Sequence, residues 1–248
     1  MSLRILSYNI CRGGRGREDR IAQVIGATDA DLVVLQEATS AEVVARIAAR
    51  LGYAQHGARP GESLAFISRL PVAHHAWHKP RRSRHAFLEI VPVGDAFRVF
   101  GLHLSAVHAA WTERRRVREL RALVQAIGQH QHGFHMLLGD FNTLAPNEPL
   151  NVWALPARLQ VLVWMSGGRI RWRTIQSILD AGYVDGFRMR HPDVQGLTFP
   201  TWSPHVRLDY AFVPTPFVSR LLSCEVVRDP ATRDASDHFP LLSEIDPQ

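Results

Sequence analysis

Lysine is nearly missing from this 248-residue chain: taking Lys79 from the 29 basic residues leaves 28 arginines. Set against 23 acids, the formal balance is +6. Arginine suits planar, bidentate contacts to phosphate and carboxylate. A basic surplus favours anionic partners such as nucleic acid, phosphorylated small molecules or an anionic membrane surface. Genomic base composition accounts for the excess of arginine over lysine equally well. Cysteine is scarce too. Cys11 and Cys224 are the only two, which excludes a disulfide framework or a cysteine-based zinc site. No apolar run approaches the ~18 residues of a membrane-crossing helix. The opening MSLRILSYNI enters a strand-like pattern without an apolar signal core. The expectation is a soluble protein of a reducing compartment, the cytoplasm. Internal repeats, low-complexity tracts and Pro/Ser-rich linkers are also lacking, which argues for one domain over residues 1–248. At 46% hydrophobic and 21% charged, the chain is not disordered.

Hydrophobic periodicity then places the elements. Residues 3–9 read as a strand, 18–28 as a helix with Ile21, Val24 and Ile25 on one face, and 31–36 as a buried strand ending at Glu37. Residues 40–51 are helical, with Val43, Val44, Ile47 and Leu51 in one stripe. Between 64 and 104 short runs are broken by Pro71, Pro80 and Gly94, as in antiparallel strands. Residues 111–128 form a helix with Val117, Leu120, Val124 and Ile127 on one face. A buried strand follows at 134–139, irregular chain at 144–171, and a helix at 172–181. Strands are predicted near 208–213, 218–227 and 239–245. Alternating helices and strands with antiparallel meanders predict two packed sheets with helices outside.

Polar residues recur at the ends of the apolar runs. Asn9 follows ILSY, and Glu37 follows LVVLQ. His103 sits in FGLHL, and Asp140 and Asn142 sit in GDFN. Asp209 lies in RLDY, while Asp237 and His238 form SDH ahead of FPLL. A rigid sheet holds groups at such positions. If the strands align, carboxylates and imidazoles line one cleft. Mg²⁺ takes hard oxygen ligands and keeps several waters, so one or two carboxylates suffice. In-line attack of water on phosphorus needs such a metal, with donors for the charge gathering on the phosphoryl oxygens. Singly, each group has a plainer reading. Asn9 caps a turn, Glu37 and Asp140 start a helix or turn, His103 is a satisfied half-buried histidine, and Asp209 pairs with Arg207.

Together, SYNI, LQE, GLHL, GDFN, RLDY and SDH resemble the endonuclease/exonuclease/phosphatase superfamily in order and spacing, from Asn9 to His238. The resemblance implies an α/β fold, a four-layer α-β-β-α sandwich of two mostly antiparallel sheets packed face to face, as in deoxyribonuclease I. It implies a divalent-metal-dependent phosphohydrolase using Mg²⁺ or Mn²⁺. Glu37 is then the main metal carboxylate, with Asp237 and Asn9 as further ligands, direct or through water. Asp140 orients or deprotonates the attacking water and Asn142 holds the geometry. His238, bonded to Asp209, contacts the phosphate or moves a proton, and His103 donates to a phosphoryl oxygen. Whether Asp140 or His238 is the base stays open.

The substrate is less determined. LQEAT in place of LQETK, and His103 in place of a tyrosine, lean away from an abasic-site endonuclease. They lean toward the deoxyribonuclease I, sphingomyelinase and 5-phosphatase branches. A nuclease-like phosphodiesterase leads, with a hydrolase of phospholipid head groups or phosphorylated small molecules second. A non-catalytic nucleic-acid-binding homologue is the reading from another class. Three basic clusters stand out: Lys79, Arg81, Arg82 and Arg84; Arg114, Arg115, Arg116, Arg118 and Arg121; and Arg169, Arg171 and Arg173. Each is either a solvated face or a phosphate-tracking surface, with Arg114 and Arg118 the candidate substrate contacts. A Trp/Arg-rich insertion around 144–173 is a packing segment, a base-stacking surface or a peripheral membrane contact. His56, His74, His75, His78, His130, His132 and His135 read as surface or packing residues, and His205, just before RLDY, as the exception, a candidate substrate contact. Cys11 reads as a small buried hydrophobe.

Overall fold

A computed structural model describes the chain apart from residues 1, 82, 95–96, 107–109, 129–132, 147, 149–151, 158–159, 162–163, 165–171 and 248. Twelve strands lie among the described residues. They are β1 (Leu3–Asn9), β2 (Leu32–Gln36), β3 (Gln55–Ala58), β4 (Ala65–Ser68), β5 (Val72–His78), β6 (Phe87–Pro92), β7 (Arg98–His103), β8 (His135–Asp140), β9 (Tyr183–Asp185), β10 (Asp209–Pro214), β11 (Leu221–Val226) and β12 (Leu241–Ile245). They form two six-stranded sheets, ordered β11-β12-β1-β2-β4-β3 and β5-β6-β7-β8-β10-β9. Each sheet is antiparallel except for one parallel pair, β1 with β2 and β7 with β8. Helix α1 (Glu18–Ala27) lies in the connection of the first pair and α3 (Ala110–Gly128) in that of the second.

Three apolar clusters separate four layers. Leu6, Tyr8, Val33, Leu35 and Ile67 face outward from the first sheet onto α1 and α2 (Ala41–Leu51). Ile5, Leu32, Val34 and Phe66 face inward, against Leu88, Ile90, Val99, Met136 and Leu138 of the second sheet. The far side of the second sheet carries Phe100, Leu102, Leu137 and Phe212. These meet Leu120, Leu123 and Ile127 of α3, and Ile175 and Ile178 of α4 (Arg173–Leu179). Central strands are covered on both faces, so LVVLQ and HMLLG are continuous apolar runs rather than alternating ones. The chain is an α-β-β-α sandwich, as its sequence leads one to expect.

The expected helices agree with the observed ones to within a residue or two. Ser40 caps α2 through Val43 N, and Gly52 closes it in the left-handed conformation, which explains its sharp ends. Other expectations are corrected. The strand expected at 218–227 begins only at Leu221, because Thr215–Arg220 forms a 3-10 turn that packs Phe217 and Val218 on the inter-sheet core. Val117, expected in the buried stripe of α3, is half-buried instead. β3 and β9 are absent from the sequence pattern: both are short edge strands, and QHGA carries no apolar alternation. So are the short helices α5 (Gly186–Arg190) and α6 (Thr232–Ala235). Much of the insertion around 144–173 lies outside the described residues, Arg169 and Arg171 with it, as does Arg82. The described Trp153 and Trp164 are exposed. Among the described residues no helix is long and apolar enough to cross a membrane.

One glycine governs how the parallel pair of the second sheet ends. Gly139 stands opposite Leu102 with φ of 148°. A Cβ there would lie 1.9 Å from the Leu102 carbonyl oxygen, a backbone atom that moves only with its whole strand. Gly139→Ala is expected to lower unfolding free energy by about 3 kcal/mol or more and to displace the following Asp140. A urea melt reads the first effect; wild-type stability would show that β7 and β8 approach less closely.

Candidate active site

Parallel β-α-β units place polar groups beyond the carboxyl ends of their strands, and both units here do so at one place. Asn9 ends β1, Glu37 follows β2, His103 ends β7 and Asp140 ends β8. The two sheets meet through Asn9, whose Nδ2 donates to Asp140 Oδ2 at 3.0 Å and to Glu37 Oε1 at 3.3 Å. Its Oδ1 accepts from Cys11 N at 3.0 Å. Glu37 Oε2 accepts from Arg12 N at 2.6 Å.

Asp209 opens β10 directly opposite Asp140. Like charges so placed repel, and both residues are buried. His238 stands with them. Its Nδ1 lies 2.9 Å from Asp209 Oδ2, and its Nε2 lies 3.8 Å from Asp140 Oδ2. Burial drives the Asp140 carboxyl up to about 7, His238 opposing and Asp209 adding to the rise. Burial alone would lower His238, but Asp209 and then Asp140 outweigh it and raise the imidazole to about 10. At neutral pH His238 is therefore a cation between two acids, while Asp140 sits where a proton is readily taken or released.

Backbone strain and two hydroxyls hold these groups. Among the described residues five non-glycine positions have positive φ, and four of them, Cys11, Arg12, Glu37 and Asn142, belong to this site. Such positions cost about 1 kcal/mol or more each and persist where surroundings over-determine them. Asn142 N donates to Asp140 Oδ1 at 2.8 Å, and Asn142 Nδ2 donates to Leu104 O at 2.9 Å. Ser236 Oγ donates to Asn9 O at 2.6 Å and accepts from His238 N at 3.2 Å. Thr198 Oγ1 accepts from Leu208 N at 3.0 Å and from Asp209 N at 3.4 Å. The Phe199 ring packs 4.8 Å from the His238 ring. Arg17 donates to the carbonyls of Ile10, Cys11 and Ala235, tying the loop after β1 to α6.

His103 is turned so that Nδ1 meets Ser63 Oγ at 3.0 Å while Nε2 lies 4.0 Å from Asp140 Oδ2. Burial lowers its pKa. His85 stands behind it, ring centroids 6.0 Å apart, bonded to Ser105 Oγ. Burial, with the charge of His103, pushes His85 down to about 4, so it is neutral. Neither Ser63 nor His85 was singled out from the sequence. Ser63 belongs to no motif, and its partnership spans 40 residues.

Other expected residues fall as follows. Asp237 is half-buried, and burial together with the Asp237 charge raises the Cys11 thiol. Cys11 is only partly buried and lies beside Glu37 and Asp237, which corrects its reading as a buried hydrophobe. Arg207 pairs with Asp185 and Glu148 rather than Asp209. Arg116, counted in a surface cluster, is buried on Glu113 and Ser105 O. Arg114 and Arg118 are exposed on the outward face of α3. His205 turns its Nδ1 to Ser203 O at 2.7 Å. Trp202, missed from sequence, is exposed with its ring 6.5 Å from Phe199.

Among the described residues, no group of three or more His, Cys, Asp or Glu is gathered as a ready metal cage. A magnesium-type ion needs less, since it retains waters and accepts one or two carboxylates. The donors are hard oxygens of the right kind. Each Glu37 oxygen accepts one hydrogen bond from a neighbour and keeps a further lone pair. Asp209 Oδ1 is buried with no hydrogen-bond partner, a sign that this centre has room for another donor or cation. The residues fit a hydrated divalent cation.

Residues 6–238 match the model of the Endonuclease/Exonuclease/phosphatase family. No curated protein matches the chain. Solved structures with the same fold include an AP endonuclease from Archaeoglobus fulgidus, with 18% identity, TM-score 0.75, and 98% of this chain and 99% of that chain covered. A 3'-5' exonuclease (NExo) from Neisseria meningitidis aligns at 20% identity and TM-score 0.76, covering 98% of this chain and 100% of that one. A point variant of the 3' phosphatase NExo from Neisseria, bound to product DNA hairpin, aligns at 19% identity and TM-score 0.76, with 98% and 99% covered.

The charge of His238 is open to measurement. A histidine whose pKa is raised on folding contributes stability that is full below its unfolded value of about 6.5. That contribution fades as pH rises through the folded value, about 10. Asp209→Asn is therefore expected to cost about 3 kcal/mol at pH 6 and distinctly less at pH 9.5, read from urea melts at both. Equal losses at the two pH values would mean that His238 is not held as a cation.

Proposed function

The chain belongs to the endonuclease/exonuclease/phosphatase family, and from that premise we propose that it is a divalent-metal-dependent phosphoesterase, most simply a nuclease-like phosphodiesterase. The observation that carries the reading is the cationic His238 set between Asp209 and Asp140, with Asn9 joining Asp140 to Glu37. That is a proton acceptor, a fixed positive donor and a metal carboxylate within one hydrogen-bonded unit.

Each group has a task. Glu37 would hold the cation, with Asp237 and Asn9 on its hydration shell; Asn9 engages through water, since its Oδ1 is bonded to Cys11 N. A bound Mg²⁺ or Mn²⁺ would neutralise the charge gathering on the phosphoryl oxygens. Asp140, poised near neutrality, takes the proton of the water whose oxygen bonds to phosphorus as the P–O bond to the leaving alkoxide breaks, and that alkoxide takes a proton from solvent water. Asn142 keeps that carboxylate aimed through its backbone N–H. His238 presents Nε2–H to a phosphoryl oxygen, and Asp209 keeps the ring protonated and oriented on Nδ1. This assigns the base to Asp140. His103, fixed by Ser63, is a second donor to the phosphoryl group. The exposed Trp202 neighbours Phe199, which packs on His238, and offers a stacking face that suits a nucleobase. The likeness to nuclease and phosphatase structures lies below 25% identity and supports the fold alone. The departures at LQEAT and His103 lean away from an abasic-site endonuclease.

Asp140→Asn and His238→Ala are each expected to lower kcat on a DNA substrate or a generic phosphodiester by about 10³-fold or more, with circular dichroism unchanged. Near-wild-type turnover in either would move the site elsewhere. EDTA is expected to abolish hydrolysis, and Mg²⁺ or Mn²⁺ to restore it. Glu37→Gln should raise the metal concentration needed for half-maximal rate, and an unchanged requirement would remove Glu37 from the ligands. Sphingomyelin and phosphatidylinositol phosphates belong in the same substrate panel. Turnover of these alone would shift the assignment to lipid head groups, and no turnover of anything would favour a binding protein.

A further inference from the structure

A second feature lies outside the catalytic unit. On α3, Arg114, Arg118 and Arg121 are exposed and spaced as one stripe. Across from them α4 brings Arg173, Gln176 and Ser177, and the two helices enclose a groove of about 740 Å³. This juxtaposition of Arg173 with the α3 stripe comes from the packing of the helices, 52 residues apart from Arg121 along the chain.

Its charge is only partly compensated. Several arginines elsewhere answer acids, as Arg20 does Asp234, Arg46 does Glu18 and Arg69 does Asp29, while Arg190, Arg220 and Arg228 bond to carbonyls. Among the described residues no acid pairs with Arg114, Arg118, Arg121 or Arg173. Of the two acids that line the groove, Glu113 is paired with a buried arginine and Asp180 keeps its charge. Glu113 is buried on Arg116, Thr143 and Thr174 N, and Asp180 accepts from Gln176. Four exposed guanidiniums facing one trough that also holds a single exposed carboxylate, Asp180, make a net positive surface that attracts an anion.

The groove also points at the site. Its head is Glu113, which accepts from Thr143 Oγ1, and Thr143 follows Asn142. From there the stripe runs along α3. Seven residues from Arg114 to Arg121 advance ~10 Å at 1.5 Å each, which matches about three nucleotides at 3.4 Å per strand step.

We propose that the α3–α4 groove binds the phosphate backbone of a nucleic-acid strand beyond the bond being cleaved, so that the substrate is a polymer rather than a small phosphoester or a lipid head group. The proposal rests on the phosphoesterase reading for the identity of the site, but the groove binds whether or not chemistry follows. Each guanidinium that meets a phosphate releases condensed counterions, which makes the contribution of the groove measurable through salt.

The test is fluorescence anisotropy of a labelled 24-base-pair DNA duplex, in EDTA so that binding is read without hydrolysis. Wild type is compared with Arg118→Ser/Arg121→Ser/Arg173→Ser and with the corresponding triple lysine variant. The serine variant is expected to bind about 10- to 100-fold more weakly near 0.1 M salt, with the slope of log Kd against log salt reduced by about 2–3. The lysine variant should recover most of both, which separates lost charge from lost folding. A folded serine variant with the wild-type slope and affinity would overturn the proposal, as would a wild type that does not bind the duplex. Loss of flotation with phosphatidylglycerol vesicles, with duplex binding intact, would overturn it in favour of a membrane surface. If the slope falls as expected but no substrate is hydrolysed, the groove stands and the phosphoesterase reading falls. DNA hydrolysis with an unaltered slope removes the groove alone.

Discussion

Two buried carboxylates facing each other across neighbouring strands set the terms for the rest of this molecule. Asp140 and Asp209 occupy opposite register positions on β8 and β10, where water is excluded and repulsion is strong. The fold tolerates them because His238 is brought in from a distant loop and held as a cation by the pair. One interaction thus links the second sheet to the loop before β12 in the first. It also leaves Asp140 with a proton affinity near neutrality, the property a base for water needs. A carboxylate left without that imidazole would be neutralised by burial or would unfold its own strand end.

The remaining architecture keeps this unit from relaxing. Parallel β-α-β connections bring four strand ends together, and the flanking helices bury the outer faces that make the strands rigid. Gly139 permits the close approach that aims Asp140. Left-handed backbone at Glu37 and Asn142 turns the chain sharply, so that each side chain or amide points back at the centre. Ser236 and Thr198 supply hydroxyls to the strand end and loop they join. Strain at a few positions is offset by these bonds and by burial in three apolar clusters.

Charge is divided between regions. Acids gather at the strand ends, where a cation fits; arginines that pair with no acid among the described residues line the α3–α4 groove. An anionic chain would meet positive charge first and the strand-end carboxylates second. The paired arginines differ in kind. Arg116 and Arg207 are buried braces whose charges are spent on Glu113, Asp185 and Glu148, and they have none left for a ligand.

Much of this was legible in order along the chain. Continuous apolar runs mark strands covered on both faces, and a polar residue that ends such a run has to lie at a sheet end, so Asn9, Glu37, His103, Asp140 and Asp209 could be placed without coordinates. Helix stripes and caps were readable for the same reason: local periodicity reports burial. The edge strands β3 and β9 were not, because a strand with one neighbour and little buried face needs no apolar pattern. Nor was the turn at Thr215–Arg220, whose apolar residues meet the core without extended backbone. Ser63 behind His103, the true partners of Arg207 and the position of Cys11 all depend on contacts between segments tens of residues apart. Sequence alone was enough to establish which chemical groups exist and that strand ends would carry them. Which imidazole is charged, which carboxylate can hold a proton at neutral pH, and that Arg173 faces the arginines of α3 depend on distance and burial. Those quantities exist only once the layers have packed.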